Sequence, residues 1–400
     1  MNSHLARPLL TPALSPGIIW GVLSHQGRGP VVGMRAEGKA KMSIQSDLVS
    51  RLAGRDGGEP IFVPDLTLWR RRNHRRGTLP ARYADWSLPE ICRDLGVPIW
   101  SVVRPWRMQL LGLDSQERES ETERVRSVET IAGVLTWRWE RAPDGAWRQV
   151  GYPVKSAADL PAAVEWSRAL EYVLDTEGLT ELEMAIGADG LLAIELPPRP
   201  LMHIVAELLG WGDKLALLQE PAIEHLTQHL ENRLQPLITA LAQTSVAVHV
   251  APDSLGDTAI SETLFRQQLL PSYRRTIREL HDYHKRLVVQ ARGPIAGLLD
   301  GLARAGVDAV AGFACPLDGE GGLAELYALA NQRMTLWGGL PQEVFLPETD
   351  ETTFVETVRR TARIAQGRRR LILGVAGGVP AQADLARVQA TAQIIREAVA

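Results

Sequence analysis

Cysteine is scarce in this chain, with only Cys92 and Cys315 among 400 residues. Two thiols so far apart, without a Cys-x-x-Cys spacing, exclude a disulfide framework and suit a reducing compartment, so a cytoplasmic location is expected. Long apolar runs are also missing: the stretch Leu191–Leu196 is interrupted by Glu195 and followed by two prolines. None approaches the roughly 18 to 20 residues a membrane span needs, so no membrane association is expected. An excess of positive charge is lacking as well, since 44 Lys and Arg face 47 Asp and Glu for a net charge of -3. Without a global positive field, nucleic acid is not an expected partner. Neither G-x-G-x-x-G nor G-x-x-x-x-G-K-[ST] occurs, which counts against a doubly wound nucleotide-binding fold.

What is present is the make-up of an ordinary globular protein, 45% hydrophobic and 23% charged. Residues 1–41 have scattered Pro, Gly and Arg with no helical or strand period, and are expected to be disordered or to precede the true start at Met42, or at Met34. Residues 42–400 read as one domain. Ile61–Asp65 reads as a short buried strand, followed by the basic run Trp69-Arg70-Arg71-Arg72-Asn73-His74-Arg75-Arg76. Leu135–Trp139 and Trp147–Val150 flank Asp144-Gly145, the signature of a β-hairpin insertion. From residue 157 onward, helix-length and strand-length segments alternate. Helices are expected over 159–174, 201–209, 221–242, 261–284, 295–305, 323–331, 351–366 and 384–399, and strands over 191–196, 245–250, 286–290, 308–313, 334–337 and 371–374. Such alternation means βαβ units, and the strand count suits an α/β fold of the (β/α)8 TIM-barrel type, with residues 60–155 as an N-terminal elaboration over the cleft.

Several stretches then resemble one family. His249-Val250-Ala251-Pro252-Asp253-Ser254-Leu255-Gly256-Asp257, Ile260–Phe265, Leu270-Pro271-Ser272-Tyr273, Ala305–Ala309 and Leu336-Trp337-Gly338-Gly339 are similar to the uroporphyrinogen decarboxylase superfamily, in its decarboxylase-like and corrinoid methyltransferase-like branch. Gly77-Thr78-Leu79-Pro80 and Tyr152–Ser156 extend the likeness over roughly residues 60 to 390. The resemblance implies a barrel whose cleft takes either a polycarboxylate tetrapyrrole or the methyl donors and acceptors of corrinoid chemistry. Two departures matter. The Arg-Gln-Ala-Gly-Arg type segment that holds substrate carboxylates is missing near the N-terminus. Where zinc methyltransferases carry His-x-Cys and a later Cys, this chain has Gln290-Ala291-Arg292 and Val375–Gly378, so zinc is not expected.

Barrel enzymes keep their chemistry at the carboxyl ends of the strands. Asp253 and His249 are therefore the candidate catalytic pair for proton handling, although Asp253 could equally cap a turn and His249 could be a core residue. Asp65, Trp69, Arg70, His74, Asp257 and Arg292 are the candidate substrate-binding residues, with the arginines suited to an anion. Glu195 ends another strand, where substrate contact and ion pairing are equally open. The gathered tryptophans, Trp100, Trp106, Trp137, Trp139 and Trp147, could stack on a flat ligand or simply pack. The expected function is methyl transfer involving a corrinoid protein, or decarboxylation of an anionic tetrapyrrole-type substrate. A non-catalytic barrel binding a tetrapyrrole or corrinoid partner is the alternative. No covalently bound cofactor is expected; a corrinoid on a partner protein and a homodimer remain open.

Overall fold

In chain order, the computed structural model contains α1 (Ile44–Leu52), α2 (Thr67–Arg76), α3 (Leu88–Asp94), β1 (Ile99–Val103), β2 (Trp106–Leu110), β3 (Ser115–Glu119), β4 (Glu123–Thr130), β5 (Gly133–Arg141) and β6 (Trp147–Gly151). These are followed by α4 (Leu160–Ala169), β7 (Leu170–Leu174), α5 (Leu179–Ile186), β8 (Gly190–Glu195), α6 (Pro200–His203), α7 (Pro221–Ala242), β9 (Val248–Leu255), α8 (Glu262–Leu264), α9 (Leu270–Asp282) and β10 (Arg286–Ala291). The chain ends with α10 (Ala296–Ala305), β11 (Ala309–Ala311), α11 (Leu323–Leu329), β12 (Thr335–Leu340), α12 (Glu351–Ala365), β13 (Leu371–Val375) and α13 (Leu385–Val399). The structure describes residues 43–55, 59–256, 261–316, 322–331 and 333–400. The expectations for residues 1–41 and for Asp257 lie outside them.

Seven strands form one parallel sheet in the order β1-β8-β9-β10-β11-β12-β13. The sequences Gly190-Leu-Leu-Ala-Ile-Glu195 and Leu371-Ile-Leu-Gly-Val375 are almost wholly buried, as strands covered on both faces must be. The sheet curls strongly. Trp100 on β1 and Trp337 on β12 lie five strands apart in that order, yet their rings meet at 4.6 Å, so the concave face is a filled core. That interior cluster takes a side chain from each of the seven strands and from Val63, and Leu48 and Leu52 of α1 join it.

The eighth strand expected over 61–65 is a single parallel bridge, Phe62 to Leu373 on β13, flanked by Val63 N–H to Leu373 O (2.8 Å) and Leu373 N–H to Ile61 O (2.9 Å). Pro60 and Pro64 bracket the segment, and neither can donate to a ladder. The described residues thus give the expected parallel α/β architecture as a curled seven-stranded sheet with one bridging segment at its β13 edge.

The helices follow from their patterns. Helix α7 opens with Pro221 and buries Ile223, Leu226, Leu230, Leu234, Leu237 and Leu241, a stripe at three- and four-residue steps against the sheet. Helix α12 starts at Asp350, whose carboxylate accepts the Thr353 N–H at 2.9 Å. Three expected helices differ. The 159–174 segment leaves the helix at Leu170, and Leu170–Leu174 pairs antiparallel with β2 instead, as its Tyr172-Val173 content suits. The 261–284 helix contains a π-helical stretch, Phe265–Leu269, and the 201–209 helix becomes α6 followed by a π-helix, Ile204–Leu209.

Residues 115–151 form a separate four-stranded antiparallel sheet, β3-β4-β5-β6. The chain reverses between β5 and β6 through Asp144-Gly145, where Gly145 has φ +75°, a left-handed conformation that glycine adopts without a Cβ clash. Trp137 of this sheet packs on Trp166 of α4 at 5.9 Å, and its indole N–H donates to the Glu207 carbonyl at 2.9 Å. Trp137 therefore serves packing, as Trp100 does in the interior.

Candidate functional site

The parallel strands all end on one rim, and the connections that follow them build a mouth there. On β9, Val248 and Val250 point into the interior cluster, so the alternate residues His249 and Ala251 face the helices outside. His249 is sealed there. Its Nε2 lies 3.3 Å from the Leu241 carbonyl at the end of α7, its Nδ1 is buried without a partner, and desolvation lowers its pKa to about 4. His249 is thus a solvent-free imidazole on the face of the sheet that is covered by helices.

Asp253 is also buried, at 3% exposure, and its partners are structural. One carboxylate oxygen accepts the backbone N–H of Arg199 at 2.8 Å, and the other accepts the Tyr273 hydroxyl of α9 at 2.5 Å. Arg199, itself fully buried, donates to Thr276 and to the Pro197 carbonyl (2.8 Å). Burial raises the Asp253 carboxyl, while the Arg199 charge and the Tyr273 bond pull it back. Asp253 thereby fixes the chain at the start of α6 against α9. Arg292, by contrast, directly follows β10 and is exposed.

The binding candidates on α2 separate in the same way. Trp69 is core, edge-on to Tyr83 at 6.2 Å. Arg70 turns to the Trp86 carbonyl through Nε (3.2 Å) and Nη2 (2.8 Å), and burial lowers its pKa. His74 is exposed. Asp65 does reach the mouth: its carboxylate accepts the Thr67 N–H at 2.8 Å, and desolvation raises its pKa against the lowering effect of that bond and of Arg71. The loop after β13 closes over it. Val379 N–H donates to the Asp65 carbonyl at 2.8 Å, and a Cβ on Gly378, whose φ is +88°, would stand 3.3 Å from that oxygen. Glycine is there for a close backbone approach. Gln290, near the end of β10, and Gly378, after β13, supply neither a thiolate nor an imidazole.

Around Asp65 the structure assembles Arg71 of the basic run and Glu195, both noted in the sequence, with Arg104, Glu207 and Arg126, which were not. Arg71 senses Asp65 and, across the mouth, Glu195 at the end of β8; burial and then its neighbour Arg75 lower its pKa. Glu195 pairs with Arg104, which follows β1, and the Glu195 carbonyl accepts the Trp106 indole N–H at 2.6 Å. Arg104 and Arg126 of β4 both act on Glu207 in the π-helix. Arg126 is desolvated, and its Nε donates to Ser115 at 3.1 Å. Asp65, Arg71, Glu195, Arg104, Glu207 and Arg126 thus run in a chain of alternating sign from α2 to the antiparallel sheet. Single arginines scattered over many elements leave no spacing signal in a sequence; only the Arg71–Arg75 step, one helical turn, was legible.

Arg71 and Arg75 stand on the same face of α2, and the Nε of each is buried without a hydrogen-bond partner among the described residues. Asp144 in the β5–β6 turn approaches Arg75 at 3.7 Å and Arg72 at 3.6 Å. Two guanidiniums held a turn apart with unused donors form a grip for a planar anion such as a carboxylate.

Comparisons with known proteins agree with the fold. A methyltransferase from Methanosarcina mazei matches with a TM-score of 0.51 at 15% identity, covering 90% of this chain and 100% of the other. A D-psicose 3-epimerase from Clostridium cellulolyticum H10 (12% identity, 55% of this chain, 81% of the other, TM-score 0.34) and a D-allulose 3-epimerase from Methylomonas sp. (9% identity, 62% and 94%, TM-score 0.36) resemble it too weakly to carry an argument. Among curated proteins, no match was found. Residues 214–398, just under half of the chain, match the family model of uroporphyrinogen decarboxylase, and the parallel sheet with its fold likeness agrees with that similarity.

Proposed function

We propose that this protein is an enzyme acting on a carboxylate-bearing, tetrapyrrole-type substrate held at the mouth, with decarboxylation as its reaction. The observation that carries the reading is the Arg71–Arg75 pair, two neighbouring guanidiniums with buried, unpartnered Nε atoms. Leaving buried donors unmade is costly unless a ligand completes them, and a substrate carboxylate does so with charge-assisted bonds. Methyl transfer with a corrinoid protein is the second reaction of this superfamily, and an anionic methyl donor or acceptor would use the same grip.

Uroporphyrin, a stable polycarboxylate tetrapyrrole, is the probe for fluorescence titration. Arg71→Ala and Arg75→Ala should each weaken binding about ten- to a hundredfold, as expected for a lost charge-assisted hydrogen bond of about 1.5–3 kcal/mol. Arg292→Ala, on the opposite side of the mouth, should change it less than threefold. Equal affinity in wild type and Arg71→Ala would remove the anion grip. Tight uroporphyrin binding with no release of CO2 from the reduced tetrapyrrole, alongside demethylation of methylcobalamin on a corrinoid protein, would move the assignment to methyl transfer. Binding with neither reaction would favour the non-catalytic alternative.

A further inference from the structure

Three tryptophans lie on the antiparallel sheet, Trp137, Trp139 and Trp147, and they do not share one fate. The sheet spans the rim between two anchors. At one end, Trp137 Nε1 and Gln149 Nε2 donate to the Glu207 carbonyl at 2.9 and 3.2 Å, in the connection that follows β8. At the other, Asp144 in the β5–β6 turn meets Arg72 and Arg75 of α2. Side chains alternate along a strand, so the residues two and four positions on from Trp137, Trp139 and Arg141, face the same way as Trp137, and Trp147 does so opposite Arg141. Trp139 stands directly between Arg124 on β4 and Gln149 on β6. It is therefore on the side of the sheet that meets the rim, in the stretch between the two anchors.

Its neighbours on that face have their partners. Trp137 packs on Trp166 at 5.9 Å, and Trp147 carries the Arg141 and Arg124 guanidiniums at 4.8 and 5.1 Å from its ring centre. Those two arginines also pair with Glu119, and Arg124 with Glu117, so neither is offered to an anion. Trp139 is half-buried against the core and, among the described residues, has no ring partner and no hydrogen bond to its indole N–H. An indole held in that way offers a π-face and a donor to whatever lies beneath the sheet. Resting on the anionic-substrate reading, we propose that Trp139 is a specificity-determining residue that stacks on a ring of the tetrapyrrole-type ligand whose carboxylates Arg71 and Arg75 hold. Asp144, which touches Arg75, is five residues along the chain from Trp139, at most about 16 Å of extended strand, so one ligand of macrocyclic size can meet both. The arginines then select for negative charge and the indole for a flat ring.

The test is uroporphyrin titration of the full chain carrying Trp139→Ala, Trp139→Phe or, from the opposite face of the same strand, Arg138→Ala. Butanetetracarboxylate, an anion without a ring, is measured beside it by its displacement of uroporphyrin. Trp139→Ala should bind uroporphyrin about three- to tenfold more weakly, the range of a lost aromatic pair, while its affinity for butanetetracarboxylate matches wild type. Trp139→Phe keeps a π-face and should bind uroporphyrin within about twofold of wild type. Arg138→Ala should bind both anions as wild type does. Unchanged uroporphyrin affinity in Trp139→Ala overturns the proposal. So does a parallel loss of both anions, which is the mark of a displaced sheet and not of a lost stacking contact. Failure of the parent reading looks different: wild type binds neither anion, or Arg71→Ala binds both as wild type does. Should Trp139→Ala not fold, Trp139→Leu takes its place, because leucine fills space without a π-face; Trp139→Leu that binds uroporphyrin as tightly as Trp139→Phe overturns the proposal.

Discussion

The two halves of the mouth differ in kind. From β9 to β13 the strand ends and following turns carry the buried Asp253 and the exposed Arg292 but are otherwise rich in small or neutral residues, Gln290, Gly312, Gly339, Gly377 and Gly378. From residue 61 to residue 209 the same rim carries Asp65, Arg71, Arg104, Glu195 and Glu207. The family match, residues 214–398, covers the first group and none of the second. The family match and the proposed anion grip therefore occupy different parts of this chain. A glycine that lets a loop pass over the sheet serves any reaction, while charged groups must suit one ligand.

The sharpest way to break this contrast is Asp253, the residue in the family-like half that the sequence marks most strongly. If that half serves architecture, Asp253→Ala leaves the Arg199 N–H and the Tyr273 hydroxyl without acceptors beside a buried guanidinium and should cost about 3–5 kcal/mol of stability in denaturant unfolding. A variant that unfolds like wild type but loses turnover would return Asp253 to the chemistry. The next effect comes from His249. Its pKa falls from 6.5 to about 4 on folding, so the unfolded chain binds a proton that the native chain excludes. Stability from this group is full above pH 6.5 and is lost as pH falls toward 4, by up to about 3 kcal/mol. His249→Gln, which keeps a donor for the Leu241 carbonyl, should show that much less acid sensitivity and bind uroporphyrin unchanged. Weakened binding in this variant would contradict the outward placement of His249.

The sequence displayed the fold more openly than the site, for a physical reason. Continuous buried runs such as Leu191–Leu196 and the stripe of α7 repeat their signal over many residues, so the parallel α/β pattern could be read directly. The errors fell where a local feature overrode the period. Pro60 and Pro64 reduced a strand to one bridge, and a helical pattern hid the turn into β7 at Leu170. At the site, strand-end position selected Asp253 and His249, but position along a strand does not say which face a side chain takes when a bulge shifts the register, as it does between Val289 and Ala291 opposite β9. Glu207 and Arg104 carried no motif at all, because their meeting depends on an irregular helix and on the docking of the antiparallel sheet.

That docking supplies the smallest and most discriminating effect. Asp144, at the tip of the β5–β6 turn, reaches Arg72 and Arg75 at 3.6 and 3.7 Å, joining the charged half of the mouth to the sheet that covers it. The Ala146 N–H, and then Arg75 and Arg72, hold its carboxyl below the usual carboxylate range, so the contact persists through neutral pH. Arg72 is 40% exposed, and ion pairs of this kind contribute below about 1 kcal/mol, so Asp144→Asn should leave stability nearly unchanged. The same substitution takes a negative charge from beside Arg75. At these separations that charge is worth about 1 kcal/mol in a watery setting, so uroporphyrin affinity should rise up to about fivefold, and less in high salt. A rise would mean that Asp144 competes with the ligand for Arg75. A fall would mean that the turn must stay latched to α2 for the ligand to be enclosed.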